Sequence, residues 1–125
     1  MNENTVATLV VDAAYRVHTH FGPGLLESAY QAMLAHELRK RGLGVACEQP
    51  IPLVYDGLTL DVGYKADMVI EALVIVELKA VEQTAPVHKR QLLTYLKLAD
   101  KRLGLQIHFG AALIKDGGHR VANGL

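Results

Sequence analysis

Two apolar runs, Lys65-Ala66-Asp67-Met68-Val69-Ile70 and Val74-Ile75-Val76-Glu77-Leu78-Lys79, constrain this chain most, because each carries charge into a segment suited to burial. Aliphatic and β-branched residues at this density form strands covered on at least one face. Carboxylates and ammonium groups rarely enter such surroundings unless paired or bound to metal. Side chains alternate along a strand, so Glu77 and Lys79 share one face while Val76, Leu78 and Ala80 take the other. The place of Asp67 depends on the turn between the runs. A turn that leaves an odd number of residues unpaired, such as Glu71 to Leu73, sets Asp67 opposite Glu77, whereas a two-residue turn faces it with Val76.

Carboxylates held side by side repel, and the usual remedies are a shifted pKa or a bound divalent cation that prefers oxygen, most simply Mg2+. The alternative is that Asp67 and Glu77 form ordinary ion pairs with Lys65 and Lys79 on a half-exposed sheet, where such pairs contribute little. The apolar residues around them (Val69, Ile70, Leu73, Val74, Ile75, Val76 and Leu78) weigh against an exposed pair.

The chain has 125 residues, half of them hydrophobic, which suits one domain over residues 1–125 with a real core. Thirteen basic and thirteen acidic residues cancel, so any nucleic acid must be met by a local patch rather than by the overall charge. The one cysteine, Cys47, excludes an internal disulfide framework and fits a reducing compartment, so a cytoplasmic location is expected. No apolar run reaches the length that crosses a bilayer, and no membrane partner is expected.

Val6, Leu9, Val10, Ala13, Ala14, Val17 and Phe21 recur at helical spacing behind Asn4 and Thr5, which can cap the first turn. Gly22-Pro23-Gly24 breaks that helix, and Leu26, Tyr30, Met33, Leu34 and Leu38 mark a second one ending at Lys40-Arg41-Gly42. Val45 to Tyr55 and Leu58 to Ile70 flank Asp56-Gly57, a dipeptide suited to a tight hairpin, and Pro50 and Pro52 put the first of these strands at an edge or make it irregular. After the strand ending at Ala80, Thr84 can cap a third helix with Pro86 in its first turn and Leu92, Leu93, Leu96 and Ala99 along it. Leu105 to Ile114 reads as a strand, Asp116-Gly117-Gly118 as a turn and His119 to Val121 as a short return strand. The order implies an α/β fold with a mixed sheet.

Glu27 falls in the first turn of the second helix, where it can reach toward the sheet or simply complement the helix dipole. Gln91 and Tyr95, four apart on the third helix with His88 one turn earlier, present an amide and a phenol on one face. His18 and His20 point in different directions and make a poor metal pair. Phosphate-loop, serine-nucleophile and cysteine-nucleophile signatures are absent around Gly22-Pro23-Gly24, Ser28 and Cys47.

Gly24-Leu25-Leu26-Glu27-Ser28-Ala29-Tyr30 reads as G-x-x-E-x-x-Y. Together with Lys65-Ala66-Asp67, Val76-Glu77-Leu78-Lys79 and Gln91-Leu92-Leu93-Thr94-Tyr95-Leu96, it closely resembles the GxxExxY protein family of the PD-(D/E)xK nuclease superfamily, over about Val6 to Val121. The resemblance implies a restriction-endonuclease-like core: a mixed β-sheet flanked by helices, with the metal site where adjacent strands diverge. It implies Asp67 and Glu77 as acidic metal ligands, Lys79 as the signature lysine, Glu27 as the helix glutamate that completes the acidic cluster, and Gln91 and Tyr95 as an accessory pair. Tyr30 and Lys65 are expected to join that pair on the substrate side. The chain departs from the pattern at Ala66, often proline, at Lys65, commonly arginine, and at His108, usually asparagine. None of these removes a ligand.

These expectations converge on a metal-dependent nuclease of little sequence specificity. Mg2+ is the expected cofactor, with Mn2+ as its substitute, and nucleic acid the expected partner, DNA before RNA, with a homodimer open as the assembly. Lys89, Arg90, Lys97, Lys101 and Arg102 form a basic run that can track a phosphate backbone or stand as a solvated face. Two rival readings are a non-catalytic module of the same fold that binds nucleic acid or protein, and a homodimer subunit whose polar cluster is an internal ion-pair network.

Overall fold

The computed structural model describes residues 1–81, 85–112 and 118–125, with the backbone alone at Val62. The elements are α1 (Glu3–Phe21), α2 (Glu27–Lys40), β1 (Val45–Tyr55), β2 (Leu58–Ile70), β3 (Val74–Lys79), α3 (Pro86–Ala99), β4 (Leu103–His108) and β5 (Gly118–Ala122). Among the described residues the strands form one five-stranded mixed sheet in the order β1-β2-β3-β4-β5. All neighbours run antiparallel except β3 and β4, which are parallel and joined through α3. The expected α/β architecture is the observed one.

Hydrophobic alternation sorts the helices onto the two faces. On one face Met68, Ile70, Val74, Val76, Leu78, Leu103, Leu105 and Ile107 pack with the inward stripes of α1 and α2, including Val6, Val10, Ala14, Leu34 and Leu38. On the other face Val69 and Ile75 pack with Leu92 and Leu96 of α3. Gly104 lies directly beneath Leu92: a Cβ there would stand 3.0 Å from three Leu92 side-chain carbons, so the bare backbone lets α3 settle close to β4.

Asp56 and Gly57 both take positive φ in the β1–β2 turn. β1 is the edge strand and its register with β2 slips between Ile51 and Leu53, at Pro52, as a proline-bearing strand requires. The β2–β3 turn decides the site. Ile70 pairs with Val74, Val69 with Ile75 and Met68 with Val76, which leaves Glu71 to Leu73 unpaired, the odd count. Glu71 and Ala72 hold left-handed backbone at φ 54° and 55°. Gly44 steadies this turn: its oxygen accepts from Glu71 N at 2.8 Å and its N–H donates to Glu71 Oε2 at 3.0 Å.

Several local expectations are corrected. The cap of α1 is Asn2, whose Oδ1 accepts from Thr5 N at 2.8 Å, while Asn4 already lies in the helix and its side chain meets Arg120. Phe21 is exposed at the end of the helix against His20 rather than on the buried stripe. β4 starts at Leu103 and ends at His108; Phe109 just beyond it still donates its N–H to Lys79 O at 2.8 Å and stacks its ring on Tyr30, with centroids 4.3 Å apart. The expected cap Thr84, the strand end at Leu113 and Ile114, and the turn residues Asp116 and Gly117 lie outside the described residues.

Candidate active site

The ladder between β2 and β3 ends at Met68 and Val76. One step further in the same register come Asp67 and Glu77, and there side chains replace the ladder. Leu78 N donates to Asp67 Oδ2 at 2.8 Å, and Asp67 N donates to Glu77 Oε1 at 3.3 Å. Each carboxylate therefore takes a backbone N–H from the opposite strand, which fixes both acids where the strands part. The hydroxyl of Tyr64 also donates to Glu77 Oε1, and the Tyr64 ring lies flat against Tyr95, with centroids 3.4 Å apart and planes 12° from parallel.

A cleft of about 220 Å³ opens between this strand end and α3, lined by Tyr64, Lys65, Asp67, Glu77, Lys79 and Gln106 from the sheet and by His88, Gln91, Leu92 and Tyr95 from the helix. Leu92 seated over Gly104 fixes the height of α3, and the 88/91/95 spacing then aims His88, Gln91 and Tyr95 into the cleft. His88 Nδ1 accepts from Ala85 N at 3.2 Å, which steadies the helix start.

Burial sets the electrostatics. It pushes the Glu77 carboxyl up to about 7, against the Asp67 N–H and the Lys79 ammonium, which hold it down; the charges of Glu27 and Glu48 add to the rise. Burial likewise raises Asp67 from its ordinary value; the Leu78 N–H and Lys79 oppose the shift, and the charges of Glu27 and Glu48 add to it. Among the described residues neither acid forms an ion pair with Lys65 or Lys79, so the surface-pair alternative is not what the side chains adopt.

Other expected residues are placed differently. Tyr30 is fully buried; its hydroxyl donates to Gly22 O at 2.6 Å and accepts from Leu25 N at 3.2 Å. It pins the turn that starts α2, and this corrects the expected substrate contact. Glu27 is exposed at the first position of α2 and does not line the cleft. The helix packs on the far face of the sheet, yet the Glu27 charge still raises both acids, and on Asp67 it outweighs the opposing Lys79 ammonium. Among the described residues no three of His, Cys, Asp and Glu gather closely enough to hold an ion by themselves. The expected Asp67, Glu77 and Glu27 cluster thus does not close into a three-ligand set: Asp67 and Glu77 line the cleft, and Glu27 acts on them through its charge. The basic run divides: Lys89 and Arg90 are exposed near the cleft end of α3, Lys101 borders a separate groove beside β1, and Arg102 donates to Gly124 O at 3.1 Å.

Three residues that sequence reasoning passed over belong to the same region. Tyr64 touches Glu77 directly. Glu48 sits in the gap of the β1–β2 ladder that faces Asp67, at φ 52°, with its Oε1 accepting from Gln31 Nε2 at 3.2 Å. Gln106 stands beside Glu77 in the parallel β3–β4 register. Glu48 and Gln106 carried the same signal as Asp67, a polar residue inside a strand, but tyrosine is at home in strands and gave none.

A mixed sheet with helices on both faces and an acidic pair at the parting of two strands defines a restriction-endonuclease-like α/β protein. The family model of the PD-(D/E)XK nuclease superfamily matches residues 4–121, nearly the whole chain, and the protein belongs to that superfamily. No curated protein and no solved structure matches it. Membership supports a nuclease-type function, and nucleases of this superfamily typically use divalent metals. Among the described residues no helix is long and apolar enough to cross a membrane.

Proposed function

We propose that the protein is a metal-dependent phosphodiester hydrolase of the GxxExxY branch, acting on nucleic acid, DNA before RNA, with little sequence selectivity. The observation that carries this reading is the convergence of Asp67, Glu77 and Lys79 on one cleft at the end of the β2–β3 ladder. The donor chemistry fits a hard cation, Mg2+ or Mn2+: Asp67 Oδ2 and Glu77 Oε1 are engaged by protein donors, and no described donor engages Asp67 Oδ1 or Glu77 Oε2. When bound there, such a cation offsets charge on the phosphate and makes water a stronger nucleophile at neutral pH.

The chain's own residues supply the rest. Asp67 and Glu77 are held in place before any ligand arrives by the backbone of the opposite strand, so no reorganisation is needed at the reacting centre. Tyr64 orients the Glu77 carboxylate, and Tyr95 supports the Tyr64 ring. Lys79, half-buried in the cleft without a carboxylate partner among the described residues, orients water or offsets charge developing on the phosphodiester. Lys65 and Gln91 are exposed on the rim, where they can meet flanking phosphates; Lys89 and Arg90 continue that edge. The half-buried free Cys47 fits a reducing, cytoplasmic setting.

The test is incubation with plasmid, single-stranded and branched DNA and with RNA, with Mg2+, with Mn2+ and with chelator, comparing wild type with Glu77→Ala and Lys79→Ala. Cation-dependent cutting lost in both variants supports the reading. Cutting that persists in both belongs to a contaminant, and binding without cutting by the wild type under every condition replaces the hydrolase with a binding module.

A further inference from the structure

Gln106 stands beside Glu77 in the β3–β4 register, and its neighbours Leu105 and Ile107 turn into the core under α1 and α2. Alternation therefore sends Gln106 to the opposite face, where it lines the cleft with Asp67, Glu77 and Lys79. The residue is only 2% exposed, and its Oε1 has no hydrogen-bond partner among the described residues. A leucine would fill this strand position without stranding an acceptor, so a bare amide oxygen here needs a reason. Phosphodiester oxygens are acceptors and cannot satisfy it. A hard cation can, because amide oxygens stand with carboxylates among its ligands.

The neighbouring acids leave room for such a donor. Glu77 Oε1 is taken by Tyr64 and Asp67 N, and Asp67 Oδ2 by Leu78 N, so the pair offers a cation one uncommitted oxygen each. Glu27 does not line the cleft, and a cation that seeks six or more oxygens lacks a third side-chain donor from the expected acidic set. The geometry points to Gln106 Oε1 as a further oxygen donor, beside Asp67 and Glu77, to the divalent cation of this cleft. The assignment rests on the metal-dependent nuclease reading and deepens it.

The experiment is calorimetric titration of the full chain with Mn2+ alone, without substrate, for wild type, Asp67→Asn, Gln106→Leu and Gln106→Met, together with thermal unfolding of each in chelator. Gln106→Leu and Gln106→Met are expected to weaken Mn2+ binding about tenfold. Their Tm in chelator is expected to hold or to rise by about 3 °C, because the stranded acceptor is gone. Mn2+ affinity within twofold of wild type in either folded variant would overturn the assignment. Weaker binding accompanied by a lower Tm in both variants would also overturn it, since disturbed packing would then explain the loss. Absence of Mn2+ binding by the wild type, or its indifference to Asp67→Asn, would remove the cation reading of the cleft itself, an outcome distinct from failure at Gln106 alone.

Discussion

Tyr64 donates its hydroxyl hydrogen to Glu77 Oε1 while its ring lies flat on Tyr95, so a phenol from β2 and an aromatic face from α3 jointly set the direction of one carboxylate. Removing the hydroxyl alone separates these parts. Tyr64→Phe keeps the stack and deletes a charge-assisted hydrogen bond of about 1.5–3 kcal/mol. Nuclease kcat is expected to fall about tenfold with KM for DNA little changed, whereas Tyr95→Leu is expected to lower kcat through the Tyr64 ring. Steady-state kinetics at saturating Mg2+ checks both; an unaltered kcat in Tyr64→Phe removes the orienting role.

Glu77 provides a pH dependence with a definite sign. Its carboxyl is raised from 4.5 to about 7 in the folded chain, so the folded state holds a proton that the unfolded state has already released. Without a divalent cation, stability is therefore highest below about pH 4.5 as far as this group is concerned, and falls as pH rises to about 7. At about 1.36 kcal/mol per pH unit the total reaches about 3 kcal/mol at most, and raised Asp67 acts in the same direction. Urea unfolding in chelator at pH 5 and pH 8 measures it, and Glu77→Gln is expected to flatten most of the slope. Cation affinity runs the other way, rising with pH through about 7 as Glu77 ionises.

Gly104 fixes the seat of α3. The added carbon of Gly104→Ala would press on Leu92 at 3.0 Å, and Gly104→Val more strongly, which should lift the helix that carries His88, Gln91 and Tyr95. A loss of about 1–3 kcal/mol is expected for Gly104→Val, with reduced cleavage. Because the clash is with Leu92, the double variant Gly104→Ala with Leu92→Ala should be less destabilised than the two single losses together. Additive losses in chemical denaturation would contradict direct contact.

Tyr30 gives the opposite pattern. Its hydroxyl joins Gly22 O to Leu25 N within the turn before α2, so Tyr30→Phe is expected to cost about 1–2 kcal/mol of stability while leaving KM for nucleic acid unchanged. A raised KM with unchanged stability would return Tyr30 to the substrate side.

Much of this molecule was written in local pattern. The periods of α1, α2 and α3, the Asp56-Gly57 turn and the apolar runs of β2 and β3 follow from spacing and turn chemistry, which act over a few residues, and the shared face of Glu77 and Lys79 follows from strand alternation alone. Whether Asp67 met Glu77 or Val76 hung on one turn residue, and the sequence left both open. The contact between Glu71 and Gly44, 27 positions apart, helps to hold the three-residue turn that settles it. Tertiary packing alone decided that Tyr64 reaches Glu77, that Tyr30 faces inward, that Glu27 stays out of the cleft lining and that Gln106 borders the cleft. Each depends on which layer a helix or neighbouring strand occupies, and that is set by burial between segments distant in the chain, which no local spacing encodes.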